Sequence, residues 1–206
     1  MLAHDFFPVN GRKTRILDLD IENRPLSYWM DDRPTCEITA IASQWVGSPR
    51  SMQVLLLGID DPEYMLTEIL HRYMEADLVT GHYIRRHDLP IINGALYEYG
   101  LPLLVPKWTC DTKLDMFTKA DIPATQEFLC ETLGCPIPKV HMTQTDWREA
   151  NRLTPRGLEK TRKRVTTDVQ QHMWLREEML QRGMLRPISV WNPGGGEVPD
   201  ERRYKR

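Results

Sequence analysis

In Ile16-Leu17-Asp18-Leu19-Asp20-Ile21-Glu22 apolar and acidic residues alternate from Leu17 onward. Successive side chains of a β-strand point to opposite faces, so Leu17, Leu19 and Ile21 share one face and Asp18, Asp20 and Glu22 the other. Carboxylates set side by side repel, and each gains by protonating rather than standing ionised next to another. A hard divalent cation reverses that preference, because Mg²⁺ and Mn²⁺ take oxygen ligands. The same alternation also describes an ordinary half-exposed strand with its apolar face inward and its acids in water.

Working outward, Arg15–Ile21, Glu37–Val46 and Gln53–Leu57 read as three consecutive strands joined by turns, an antiparallel meander. Asp60-Asp61-Pro62 opens a helix with an Asp cap and an early proline, and Met65, Ile69 and Tyr73 follow at i+4 steps. Ala76–Gly81 is a short buried strand. Asp88–Tyr99 is a helix closed by Gly100 at its C′ position. Val105–Cys110 is another strand, and Phe128, Leu129 and Leu133 lie on a helix ending at Gly134. The last helix is the longest, capped by Thr154, started by Pro155 and stopped at Gly183. Its inner stripe is Leu158, Val165, Val169, His172, Leu175 and Met179. The order βββ-α-β-α-β-α-α predicts an α/β fold: a mixed sheet, antiparallel meander plus parallel strands, flanked by helices. Residues 1–186 are read as one domain and 187–206 as a flexible basic tail containing Pro193, three glycines, Pro199 and Glu201-Arg-Arg-Tyr-Lys-Arg206.

Two further acids stand in marked contexts. In Gly81-His82-Tyr83-Ile84-Arg85-Arg86-His87-Asp88-Leu89-Pro90 a strand ends, a basic loop follows, and Asp88 opens a helix, where an N-cap role is equally open to it. Asp168 borders the apolar stripe of the long helix, with Arg164 at i−4, the spacing of an ordinary helix ion pair. Residues 152–164 carry six basic side chains (Arg152, Arg156, Lys160, Arg162, Lys163, Arg164) against Glu159 alone. Arg156, Lys160 and Arg164 step at i+4 toward Asp168 as a basic ridge, or else form a solvated helix face.

Composition bounds these readings. The 206 residues are 41% apolar, with a formal net charge of −2, which fits one domain and excludes a disordered or collagen-like chain. A chain of this length buries roughly 70% of its unfolded surface and needs no disulfide or metal to fold. Cys36, Cys110, Cys130 and Cys135 form no CxxC pair and are expected as reduced thiols in or near a core. The N-terminal residues lack a basic run followed by an apolar one, and no apolar stretch is long enough to span a bilayer, so a cytoplasmic location away from membranes is expected.

Asp-x-Glu on the first strand, Gly-His-x₅-Asp-Leu-Pro, and a late-helix Asp followed by Val together resemble the DEDD (DnaQ-like) 3′–5′ exonuclease superfamily, which has a ribonuclease H-like fold. The likeness is nearest to the exonuclease branch of family B DNA polymerases. It covers roughly Arg15 to Met184, and Cys110-Asp111-Thr112 and Phe128-Leu-Cys-Glu-Thr-Leu-Gly134 are similar as well. The resemblance implies that Asp20, Glu22, Asp88 and Asp168 are catalytic. Asp20, Glu22 and Asp168 would ligate two Mg²⁺ or Mn²⁺ ions, and Asp88 would act through a water. It further implies hydrolysis of phosphodiester bonds at single-stranded 3′ ends of DNA or RNA in replication or repair, with a DNA polymerase or other replication protein as partner. Tyr83, Arg85, Arg86, Arg156, Lys160 and Arg164 are then expected to contact substrate. The chain departs from the family twice. Arg164 and Lys163 occupy the positions of the Tyr or His that orients the attacking water, and Tyr83 occupies a loop position that is often Asn. A binding module that has lost turnover is therefore the competing expectation.

Overall fold

The computed structural model describes residues 13–25, 36–117 and 122–195. Six strands form one sheet: β1 (Ile16–Pro25), β2 (Cys36–Trp45), β3 (Gln53–Leu56), β4 (Leu78–Gly81), β5 (Lys107–Asp111) and β6 (Ser189–Trp191), in the spatial order β3-β2-β1-β4-β5-β6. The meander pairs antiparallel, β4 and β5 add in parallel beside β1, and β6 closes the far edge antiparallel to β5. This mixed sheet flanked by helices is the expected architecture, with ribonuclease H-like topology.

Helices α1 (Pro62–Glu75) and α2 (Asp88–Glu98) cover one face. There Leu17, Leu19 and Ile21 of β1 pack with Met65, Ile69 and Tyr73 of α1 and Leu89, Ile92 and Leu96 of α2 in the main core. Asp61 caps α1 by accepting from the Tyr64 N–H at 3.1 Å, with Pro62 in the first turn. The other face carries α5 (Pro155–Gln181), with α3 (Gln126–Leu133) and α4 (Gln144–Asn151) against it. Val165 and Val169 sit on Ala40 and Ala42 of β2, small residues that let the helix approach closely, and on Leu56 of β3. The acidic side of β1 is therefore covered rather than in water: Asp18 is 0% exposed. Sequence alternation fixes which side chains share a face, but whether a helix covers that face depends on residues 140 positions away.

Two elements were not anticipated. Helix α4 is announced by a capping box, Thr143 and Asp146 bonding reciprocally, but its residues are too polar to show an apolar period. Strand β6 lies inside the segment read as tail, so the boundary at residue 187 falls too early. Three residues are below the length at which periodicity speaks, yet Trp191 is 9% exposed and belongs to the main core. The basic run 201–206, the first twelve residues and the Cys36 side chain lie outside the described residues. Cys110 and Cys130 are buried free thiols. Among the described residues no helix is long and apolar enough to cross a membrane.

The junction of α4 and α5 depends on one glycine. A Cβ on Gly157 would stand 2.3 Å from the Glu149 carbonyl carbon and oxygen and 2.5 Å from the Ala150 nitrogen, all backbone. Gly157→Ala is expected to lower stability by about 1–3 kcal/mol, the usual scale of overpacking, read as a lower urea midpoint with the native fold otherwise kept.

Candidate metal centre

Strand β1 presents Asp20 and Glu22 toward α5, which presents Asp168 between Val165 and Val169. One carboxylate oxygen from each of the three lies within 4.8 Å of the others. A bulge follows at once, where pairing with β2 shifts between Glu22 and Asn23. The extra residue is Thr39, so the strand that the bulge bends is β2, next to Glu22.

Asp88 joins from the other side of β1. It is the first residue of α2 rather than its cap, and no side chain caps that helix. Its Oδ1 accepts instead from the Ile21 N–H at 3.1 Å. The parallel pairing of β1 with β4 ends at Asp18 and Thr80, so among the described residues β1 has no strand neighbour beyond it on that side, and the Asp88 carboxylate takes the place of a backbone acceptor. Asp111 fixes the loop that delivers Asp88. Fully buried, it accepts the N–H groups of Tyr83 at 3.0 Å and Arg85 at 3.1 Å, and also those of Lys113 and Leu114. Tyr83 can thereby hold a φ of 70°, strained for a residue with a Cβ.

The carboxylates carry the electrostatic mark of crowding. Burial raises Asp20 well above the usual carboxylate range, and the charges of Asp88, Asp168 and Glu22 push it further. Burial also raises Glu22 and Asp168, with Arg164 opposing the shift in both. Below the cluster Asp18 is lowered despite its burial, because Arg176 and His172 hold it: His172 Nδ1 lies 2.6 Å from Asp18 Oδ1, and Arg176 donates to Oδ2. The donor set of the upper cluster is all oxygen, which suits a hard cation. Among the described residues, Asp168 Oδ1 is buried with no hydrogen-bond partner, an acceptor left for a ligand from outside the chain.

The basic residues expected at substrate are mostly engaged within the protein. Arg164 Nε donates to Glu22 Oε1, its Nη2 lies 3.7 Å from Asp168 Oδ2, and its Nη1 donates to the Val140 carbonyl at 3.3 Å. Lys160 donates to Asp146 Oδ2 at 2.7 Å, and Arg156 reaches the same carboxylate at 3.6 Å, so the ridge clamps α4 onto α5. Arg85 pairs with Asp115 and Ser189. Lys113 Nζ stands 4.0 Å over the Tyr83 ring, and Arg86 is exposed. Sequence reasoning passed over Trp147 on α4, whose ring lies 5.1 Å from the Arg164 guanidinium carbon. It also lines a cleft of about 180 Å³ with Glu22, Arg24, Thr39, Thr161 and Arg164. The Thr143-x-x-Asp146 pattern was the signal that would have located it.

No protein-family model and no curated protein matches the sequence. Among solved structures the chain is similar to the family B DNA polymerase of the hyperthermophilic archaeon Pyrobaculum calidifontis, with a TM-score of 0.64 at 18% identity over 82% of this chain. The match covers 25% of the polymerase chain, so this protein spans about a quarter of that length, and at such identity the likeness is one of fold.

A histidine near the site gives a pH test. His82 Nε2 faces the Ala124 carbonyl at 3.0 Å, which can only accept, so Nε2 carries the proton and Nδ1 accepts from the Thr112 hydroxyl at 2.9 Å. Burial, and then the neighbouring charge of His172, push its pKa down to about 3. The folded pKa lies below the unfolded value of about 6.5. As pH falls through that value the unfolded chain takes up a proton the native one refuses. Stability is then lost toward pH 3, at up to about 1.4 kcal/mol per pH unit. The stability difference between wild type and His82→Gln, from urea melts, is expected to shrink on acidification below neutral pH and to stay constant above it.

Proposed function

We propose that the chain is a divalent-metal-dependent 3′–5′ exonuclease acting on single-stranded ends of DNA, with RNA as the other substrate to be tested. The observation that carries this reading is the convergence of Asp20, Glu22 and Asp168 within one cation's reach, with Asp88 tied to the same strand. The fold shared with a family B DNA polymerase and the motif order in the sequence support it. Water would add across the terminal P–O3′ bond, releasing a nucleoside 5′-monophosphate and leaving a 3′ hydroxyl on the shortened strand. When bound, Mg²⁺ or Mn²⁺ supplies an acidified water and stabilises charge on the leaving oxygen. Asp20, Glu22 and Asp168 would hold the metal. Asp88, fixed by the Ile21 N–H, presents its Oδ2 beside His87, 3.5 Å from Nδ1. Arg86 is an exposed cation on the loop leading to Asp88 and would meet substrate phosphate.

One observation favours a second reading, a nucleic-acid or replisome binding module without turnover. The Arg164 guanidinium pairs with two of the three candidate ligands, and an arginine cannot act as a general base. A strand labelled at its 5′ end and incubated with Mg²⁺ or Mn²⁺ separates the two. The exonuclease gives a ladder shortening from the 3′ end, stopped by chelator and reduced at least about 100-fold by Asp20→Ala or Asp168→Ala, since even outer-shell losses reach that scale. Retained binding with no ladder supports the module. Arg164→Tyr is expected to preserve or raise turnover, and its abolition of cleavage would instead give Arg164 an essential part in the reaction.

A further inference from the structure

Arg164 is held from several directions at once. Glu22 on β1 takes Nε, the Val140 carbonyl in the loop before α4 takes Nη1, Asp168 on α5 flanks Nη2, and the Trp147 ring of α4 stacks near the guanidinium carbon. An arginine gripped by groups from three elements and the loop before α4 is a fixed charge rather than an arm free to swing toward substrate. Arginine suits that task, because it does not deprotonate and its planar fork fits between carboxylates. Lys139, beside Val140, adds a second positive field that acts on Glu22 and Asp168.

Ligation needs deprotonated carboxylates, so Asp20, Glu22, Asp88 and Asp168 bring four negative charges to the cluster. Arg164 and Lys139 return two. Glu127 also acts on Asp168 and makes the negative charges five, so a first divalent cation removes most of the excess and a second would carry the site past neutrality before any substrate arrives. A second ion would also compete with the guanidinium for Glu22 Oε1 and Asp168 Oδ2. The unpartnered Asp168 Oδ1 remains for the first.

We propose that the Arg164 guanidinium stands in for one of the two cations, so that the substrate-free site takes a single divalent ion. This inference rests on the metal-centre reading above and goes beyond it in stoichiometry. The test is a Mn²⁺ titration of the full chain near neutral pH, followed by calorimetry and by electron paramagnetic resonance of free Mn²⁺. Wild type is expected to bind one Mn²⁺ per chain. Arg164→Lys, which keeps the charge, is expected to bind one. Arg164→Gln and Arg164→Tyr are expected to bind two, the second at least about tenfold tighter than any second ion on wild type, a decade of affinity. Circular dichroism melts establish that each variant is folded, and the two neutral replacements serve as alternates if one is not. Two ions on wild type, or one ion on a folded neutral variant, overturns the proposal. A single site that Asp20→Asn abolishes but Arg164→Gln leaves unchanged sinks only the role of Arg164. No Mn²⁺ on wild type, or binding indifferent to Asp20→Asn, removes the metal centre itself and this inference with it.

Discussion

Everything in this fold depends on burying the acidic side of β1 under a helix. Desolvating a row of carboxylates is costly unless each finds a counter-charge or a ligand. Helix α5 meets that demand with a row of its own: Arg164, Asp168, His172 and Arg176, each four residues from the next. Four helical residues rise about 6.0 Å and two strand residues about 6.6 Å, so the two rows run nearly in step. Asp18 meets His172 and Arg176, Asp20 lies in the field of Asp168, and Glu22 meets Arg164. The order fixes α5 antiparallel to β1. Among the described residues, Asp20, in the middle tier, alone of the three acids of β1 has no ion pair, and Asp168 shares Arg164 with Glu22.

That middle tier explains why the cluster differs from a surface patch of acids. Asp20 is held above its usual range first by burial and then by three neighbouring carboxylates. The protein could have paired it, as it pairs Asp18, and does not. Asp88 adds to the strain on Asp20 while serving as the acceptor that finishes the edge of β1. The carboxylate that completes the hydrogen bonding of β1 thus also adds its charge to the candidate metal cluster, and Asp111 anchors the loop that carries it.

The strand parity of residues 16–22, the helix caps at Asp61 and Thr154, and the order of elements through α3 were all readable from sequence, because each rests on local spacing or on one hydrogen bond within a few residues. The convergence of Asp20, Glu22 and Asp168 was readable only through motif order, since nothing near Asp168 distinguishes it from an ordinary i,i+4 partner of Arg164. Three features stayed hidden for separate reasons. Helix α4 lacks an apolar stripe. Strand β6 is too short to show alternation. The partners of Arg156, Lys160 and Arg85 sit on other elements, Asp146 on the helix just before α5 and Asp115 and Ser189 beyond β5, so helical spacing alone carried no sign of these contacts.

The tiers between β1 and α5 can be inherited separately. Asp18 with His172 and Arg176 secures the architecture, while Glu22 and Arg164 sit at the candidate metal cluster one helical turn or more away. A change at position 164 therefore leaves the pairing of Asp18 with His172 and Arg176 untouched. Under the proposed exonuclease reading, hydrolysis and binding could then be exchanged by substitutions near Glu22 alone, with the tier that holds the fold left as it is.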